Sequence, residues 1–70
     1  MFARFELSVS FKGNRIFKGD FMSINKLIKA ACCFSDDCVF YAYDHLTDKS
    51  YTNSLIFNIM EEFKHGEIYL

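Results

Sequence analysis

Apolar and polar residues alternate from Phe5 to Phe11, in the order Phe5-Glu6-Leu7-Ser8-Val9-Ser10-Phe11. A period of two puts Phe5, Leu7, Val9 and Phe11 on one face of a strand, with Arg4, Glu6, Ser8 and Ser10 on the other. The pattern predicts a first strand over Ala3–Phe11. Gly13-Asn14 then offers the positive φ of a tight type II′ turn, and a second strand runs over Arg15–Gly19. The phase of that strand stays open. A two-residue turn pairs Phe11 with Ile16 and turns Ile16 inward. A three-residue loop with Asn14 in the left-handed region turns Phe17, Gly19 and Phe21 inward instead. A bulge near Gly19 would reconcile the two. A hairpin with one apolar face is not stable alone in water, so the rest of the chain has to cover it.

Beyond Phe21 the period changes. Ser23 is suited to cap a helix in which Ile24, Leu27, Ile28 and Ala31 form one apolar stripe, with Phe34 near the same line and Asn25, Lys26 and Lys29 facing away. Ser35-Asp36-Asp37 breaks that helix. Cys38–Tyr43 is apolar on both faces and reads as a central strand, with the helices on one side and the Tyr41/Tyr43 side partly open or covered by a partner. Asp44–Lys49 reads as a loop and Ser50-Tyr51-Thr52 as a short strand returning antiparallel. A second helix starts near Asn53 or Ser54 and buries Leu55, Ile56, Ile59, Met60 and Phe63. The alternative start, with Asp48 as cap, would align Tyr51, Leu55, Ile59 and Phe63. Gly66 stops the helix, and Glu67–Leu70 forms a last strand or a tail. The expectation is an α+β fold in a single domain over 1–70: an antiparallel sheet of three to five strands with an N-terminal hairpin, packed by two short helices, in the order ββαβ(β)αβ.

Composition sharpens this picture. Half of the 70 residues are hydrophobic, and nine Phe and four Tyr are among them. Each such ring buries roughly 150–250 Å² when enclosed, more in total than so small a core hides. Some rings are therefore expected at the surface, where they suit a partner or a self-interface. No run of 18 apolar residues is present, so no membrane span is expected, and Met1-Phe2-Ala3-Arg4 before an alternating strand does not read as a signal peptide. Cys32, Cys33 and Cys38 are odd in number and two are adjacent, a poor disulfide framework that fits the cytoplasm. The net charge of −1 is unevenly placed, about +4 over residues 1–34 and −5 over residues 35–70.

Candidate chemistry is sparse. Cys33, Cys38 and His45 have three of the donor types of a structural zinc site, but the fourth would be Cys32, adjacent to Cys33, or the distant His65; no metal or cofactor is expected. A thiol paired with His45 and oriented by Asp44 would need those groups to meet in space. Asp36-Asp37 and Glu61-Glu62 are adjacent pairs that diverge. Lys12-Gly13-Asn14 lacks the spacing of a phosphate loop. The expectation is a non-catalytic protein-binding module, not an enzyme. Phe, Ile, Lys, Asn and Tyr are abundant, and their AT-rich codons are common in phage and mobile-element genes. This suggests an inhibitor that occludes a surface of a host protein or defence complex. The contact candidates are Tyr41, Tyr43 and Tyr51, flanked by Asp44 and Asp48, with Lys12 and Arg15 at the hairpin tip as a second set. The alternative is a single-stranded RNA- or DNA-binding protein that uses Arg4, Lys12, Arg15 and Lys18 with nearby rings. An isoelectric point near 6.0 and the absence of the short motifs of RNA-binding sheets weigh against it. A homodimer through an edge strand or the tyrosine face is a further expectation.

Overall fold

The computed structural model describes residues 3–66. Its elements are β1 (Phe5–Phe11), β2 (Asn14–Phe21), α1 (Ile24–Ala31), β3 (Val39–Asp44), β4 (Lys49–Tyr51) and α2 (Asn53–Phe63). The four strands form one sheet in the order β2-β1-β3-β4, with antiparallel neighbours throughout. The expected α+β fold is therefore present, in the order ββαββα. The expected last strand, Glu67–Leu70, lies outside the described residues. Among those residues, no helix is long and apolar enough to cross a membrane.

The first hairpin turns one residue earlier than Gly13-Asn14. Lys12 (φ +51°) and Gly13 (φ +82°) are the central residues, and Phe11 pairs with Asn14. Two positive φ angles in a two-residue loop make this a type I′ turn, whose twist matches the flanking strands. Lys12 takes a conformation that costs a non-glycine residue roughly 1 kcal/mol. The register then shifts: Ser10 pairs with Arg15 but Val9 pairs with Phe17. Ile16 is the extra residue of a β-bulge, so the bulge lies next to the turn and not near Gly19. Ile16 is expelled to 52 % exposure, while Phe17, Gly19 and Phe21 fall opposite Val9, Leu7 and Phe5 on the inner face. The phase is the one that buries the rings, reached by a Lys12-Gly13 turn and a bulge at Ile16 instead of by either expected turn.

The inner face carries the core. Phe5, Leu7 and Val9 of β1 and Phe40 and Ala42 of β3 are buried against Ile24, Leu27, Ile28 and Ala31 of α1, as the helical spacing predicts. The Lys26 N–H donates to Ser23 Oγ at 3.3 Å, so Ser23 is the cap. A chain of rings crosses this layer from the sheet edge to α2. Centroid separations are 6.4 Å for Phe21–Phe17, 5.4 Å for Phe17–Phe34, 6.5 Å for Phe34–Phe40 and 5.8 Å for Phe40–Phe57. The tilted and edge-on geometries suit the ring quadrupoles, each pair contributing about 0.5–1.5 kcal/mol beyond area. At Gly19 the Phe17 ring folds over the backbone, and an added Cβ would lie 2.8 Å from the ring tip, so the ring would have to shift.

α2 begins at Asn53, not at Asp48, because β4 intervenes. Ile56 is its one fully buried side chain; Phe57, Ile59, Met60 and Phe63 pack partly buried against the core. Leu55, expected inside, is 39 % exposed. Phe57 replaces it, because packing edge-on to Phe40 rotates the helix toward that side. Asn53 extends the sheet beyond β4. Ala42 pairs with Tyr51, so the next ladder partner of Phe40 would be residue 53. There the side chain acts in place of backbone: the Phe40 N–H donates to Asn53 Oδ1 at 2.7 Å, and Asn53 Nδ2 donates to the Cys38 carbonyl at 2.9 Å. The chain thus enters a helix without leaving the β3 backbone unpaired. Replacing Asn53 with Ala strands both groups and is expected to lower stability by about 2 kcal/mol, whereas Leu55→Ala should stay within about 0.5 kcal/mol. Urea unfolding followed by circular dichroism measures both.

Candidate protein-binding face

Both helices lie on the inner side of the sheet, α1 over β1 and β2, α2 over β3 and β4. The Cα trace spans 31 × 30 × 17 Å, the thickness of one sheet and one helical layer. Strand alternation assigns the other side. Register builds three rows across it. Asp20, Glu6, Tyr43 and Ser50 form the first, Lys18, Ser8 and Tyr41 the second, and Arg15, Ser10 and Val39 the third. Ile16, the unpaired residue of the bulge, is exposed next to Arg15. Val39 is 61 % exposed and Tyr41 46 %. β1 contributes only the short Ser8 and Ser10 to the last two rows. The middle of the face is therefore low between Lys18 and Arg15 on one side and Tyr41 and Val39 on the other. Carboxylates gather at the first row and cations at the other two.

The tyrosines are held in place. The Tyr41 and Ser50 hydroxyls are hydrogen-bonded at 3.1 Å. The Tyr43 hydroxyl donates to Asp48, and this bond is the main reason its phenol is harder to ionise than usual. His45 stands edge-on to Tyr43 with centroids 4.9 Å apart, its Nε2 3.9 Å from the Glu6 carboxylate. Side chains fixed in this way lose little freedom when a partner covers them.

Two contact candidates belong to the interior instead. Asp44 is 1 % exposed and Tyr51 4 %. Arg4 Nε donates to Asp44 Oδ1 at 3.0 Å and Arg4 Nη2 to Oδ2 at 2.9 Å. The Leu46 N–H and the Thr47 hydroxyl complete the carboxylate's shell, each at 2.9 Å, and the His45 N–H donates to the Arg4 carbonyl at 2.8 Å. Hydrogen bonding from Arg4, helped by Thr47 and Leu46 and opposed by burial, holds the Asp44 carboxyl at about 2. Asp44 thus ties the start of β1 to the β3–β4 connection. Burial pushes the Tyr51 phenol up, and Lys49 caps its ring at 5.2 Å. No local pattern reveals Arg4–Asp44, because the partners lie 40 residues apart. Of the second set, Arg15 lies on the open face, whereas Lys12 sits in the turn, its ammonium 5.3 Å from the Phe11 ring. Asp48 is exposed beside Tyr43. Val39 and Ile16 were not among the candidates. Val39 was legible from the spacing Val39, Tyr41, Tyr43; Ile16 depends on the bulge and was not.

The cysteines are all free, with Cys32 and Cys33 exposed and Cys38 buried. Cys38 precedes β3 and His45 follows it, so at about 3.3 Å per residue the strand holds them about 20 Å apart. The structure does not bring that pair together. Among the described residues, no three His, Cys, Asp or Glu side chains are grouped to hold a metal ion. Compared with protein-family models, curated proteins and solved structures, the chain finds no match.

The Asp44 clamp has a defined pH signature. Its carboxyl is lowered in the folded chain from an ordinary value of about 3.9. Its stabilisation is therefore complete above about pH 4 and is lost as pH falls toward 2. Thermal melts of Asp44→Asn should show a lower midpoint than wild type at pH 6 and a shallower decline between about pH 4 and pH 2. Parallel declines in the two proteins would contradict the assignment.

Proposed function

We propose that this chain is a non-catalytic protein-binding module that docks a partner against the bare face of its sheet and inhibits that partner by covering it. The observation that carries this reading is the exposure of Val39 and Tyr41 on a sheet face over which neither described helix lies, with Ile16 exposed next to Arg15. A ring and two branched aliphatics around the low Ser8/Ser10 centre make a receptive apolar patch, of the kind that supplies the anchors of interfaces. Arg15 and Lys18 border it on one side, Glu6 and Asp20 at the end. A partner would be oriented by acidic groups meeting the first pair and basic groups meeting the second. Phage- or mobile-element-type inhibitors that act by steric occlusion fit this mode.

The same face supports a second reading. Lys18 and Arg15 lie across Ser8 and Ser10 from Tyr41 and Val39, an arrangement that could pair phosphates with a stacking ring for single-stranded RNA or DNA. The carboxylates of Glu6 and Asp20 on the same face oppose it.

Affinity capture from the cells in which the chain acts, followed by titration of the captured protein, separates the readings. Tyr41→Ala and Val39→Asp should each weaken binding by about 30-fold, near 2 kcal/mol, without loss of fold, while Leu55→Ala on the helical side leaves binding unchanged. Equal binding by all three variants would overturn the proposal. Tight binding of a labelled oligonucleotide that falls steeply between about 50 and 200 mM salt would favour the second reading.

A further inference from the structure

We infer that the outer edge of β2 is a self-recognition strand, which pairs antiparallel with β2 of a second copy about Gly19. This surface is the sheet's outer edge, and it shares Lys18 and Asp20 with the border of the open face. β2 is the longer of the two edge strands, eight residues against three in β4. Beyond the short β4, the Asn53 side chain takes up the β3 backbone groups of Phe40 and Cys38. Among the described residues, no backbone hydrogen bond outside the β1–β2 ladder involves β2. Past the bulge at Ile16, residues 17–21 pair regularly with β1 and leave their outward backbone groups available for another strand.

The second copy is identified by the sequence of that edge. Phe17-Lys18-Gly19-Asp20-Phe21 reads as ring, cation, glycine, anion, ring. Rotated about a two-fold axis through Gly19, it meets its own complement. Lys18 falls opposite Asp20 of the second copy and Asp20 opposite Lys18, so two cross-strand ion pairs form on the open face. Phe17 falls opposite Phe21, and the reverse, on the helical face. Other registers are worse. Moving the axis by one residue places Lys18 on Lys18 or Asp20 on Asp20, and placing it between residues sets inward side chains opposite outward ones. Edge charges of one sign would repel a second strand; here they alternate so as to attract it.

Two features of the single chain point the same way. Asp20 pairs directly with Glu6 across the β1–β2 ladder, a like-charge contact that an incoming Lys18 offsets. Neither Lys18 nor Asp20 takes part in an ion pair among the described residues. On the helical face, Phe17 and Phe21 remain only half-buried at the sheet edge, closed over Gly19. The glycine on the axis keeps room for four rings to converge there. The product is an eight-stranded sheet with both helical layers on one side and both open faces on the other. Five paired residues per copy bury little surface, so the dimer belongs to the weak, concentration-dependent class.

Sedimentation velocity of the full chain from about 10 μM to about 1 mM tests this. The wild type should shift from monomer to dimer across the range. Lys18→Asp and Asp20→Lys each place two like-charge pairs in the interface and should weaken dimerisation at least about 10-fold. An equimolar mixture of the two variants should dimerise again, because each then supplies the charge that the other lacks. Both substitutions are at exposed positions, and circular dichroism confirms that each variant is folded. A wild type that stays monomeric throughout, single variants that dimerise like wild type, or a mixture that stays monomeric would each overturn the proposal.

Discussion

The rest of this structure depends on the unequal covering of one sheet. Two helices, of eight and eleven residues, are enough to roof a single side. β1 accommodates this by strict alternation, Phe5, Leu7 and Val9 beneath the helices and Glu6, Ser8 and Ser10 away from them. β3 does not alternate in the same way. It buries Phe40 and Ala42 inward but still carries Val39, Tyr41 and Tyr43 outward. The open face carries an apolar patch because a central strand with two apolar sides meets a chain whose described helices form one layer.

That layer is held by polar contacts at its margins as well as by rings at its centre. The Arg4–Asp44 fork joins the beginning of β1 to the end of β3, which are adjacent in the sheet and far apart in the chain. Asn53 performs a similar service where β4 gives way to α2. Each satisfies buried or half-buried polar groups that a short sheet would otherwise leave open at its ends. The charged fork also removes Asp44 from the surface that its neighbours Tyr43 and Asp48 help to form.

Much of the fold was legible in the sequence, because period and capping are local. The alternation over residues 5–11, the Ser23 cap, the Ile24–Ala31 stripe and the short return strand follow from spacing, whereas the start of α2 at Asn53 over Asp48 was settled by β4. What failed was nonlocal. The hairpin register turned on whether Lys12 would accept a left-handed conformation so that Phe17 and Phe21 could both face inward, a trade that no window of residues displays. Leu55 and Phe57 flank one helical stripe almost symmetrically, and the position of Phe40 decides between them. The candidate face was half legible. Tyr41 and Tyr43 follow from the double-sided strand, but Tyr51 and Asp44 were drawn in by proximity in sequence, and their burial depends on Arg4, Lys49 and the sheet register.

The proposed contacts on the face and at the edge of the sheet share only its border charges, Lys18 and Asp20. Edge pairing leaves every outward side chain where it was, so a dimer would present two copies of the face side by side. The proposed docking on the face rests on the outward side chains of β3 being open to solvent in the isolated chain. The most direct measurement is side-chain NMR with a soluble paramagnetic agent. The Val39 methyls and the Tyr41 ring should relax strongly with added agent, while the Val9 and Leu7 methyls stay protected. Equal protection of Val39 and Val9 would mean that the outer face is covered and would contradict the account.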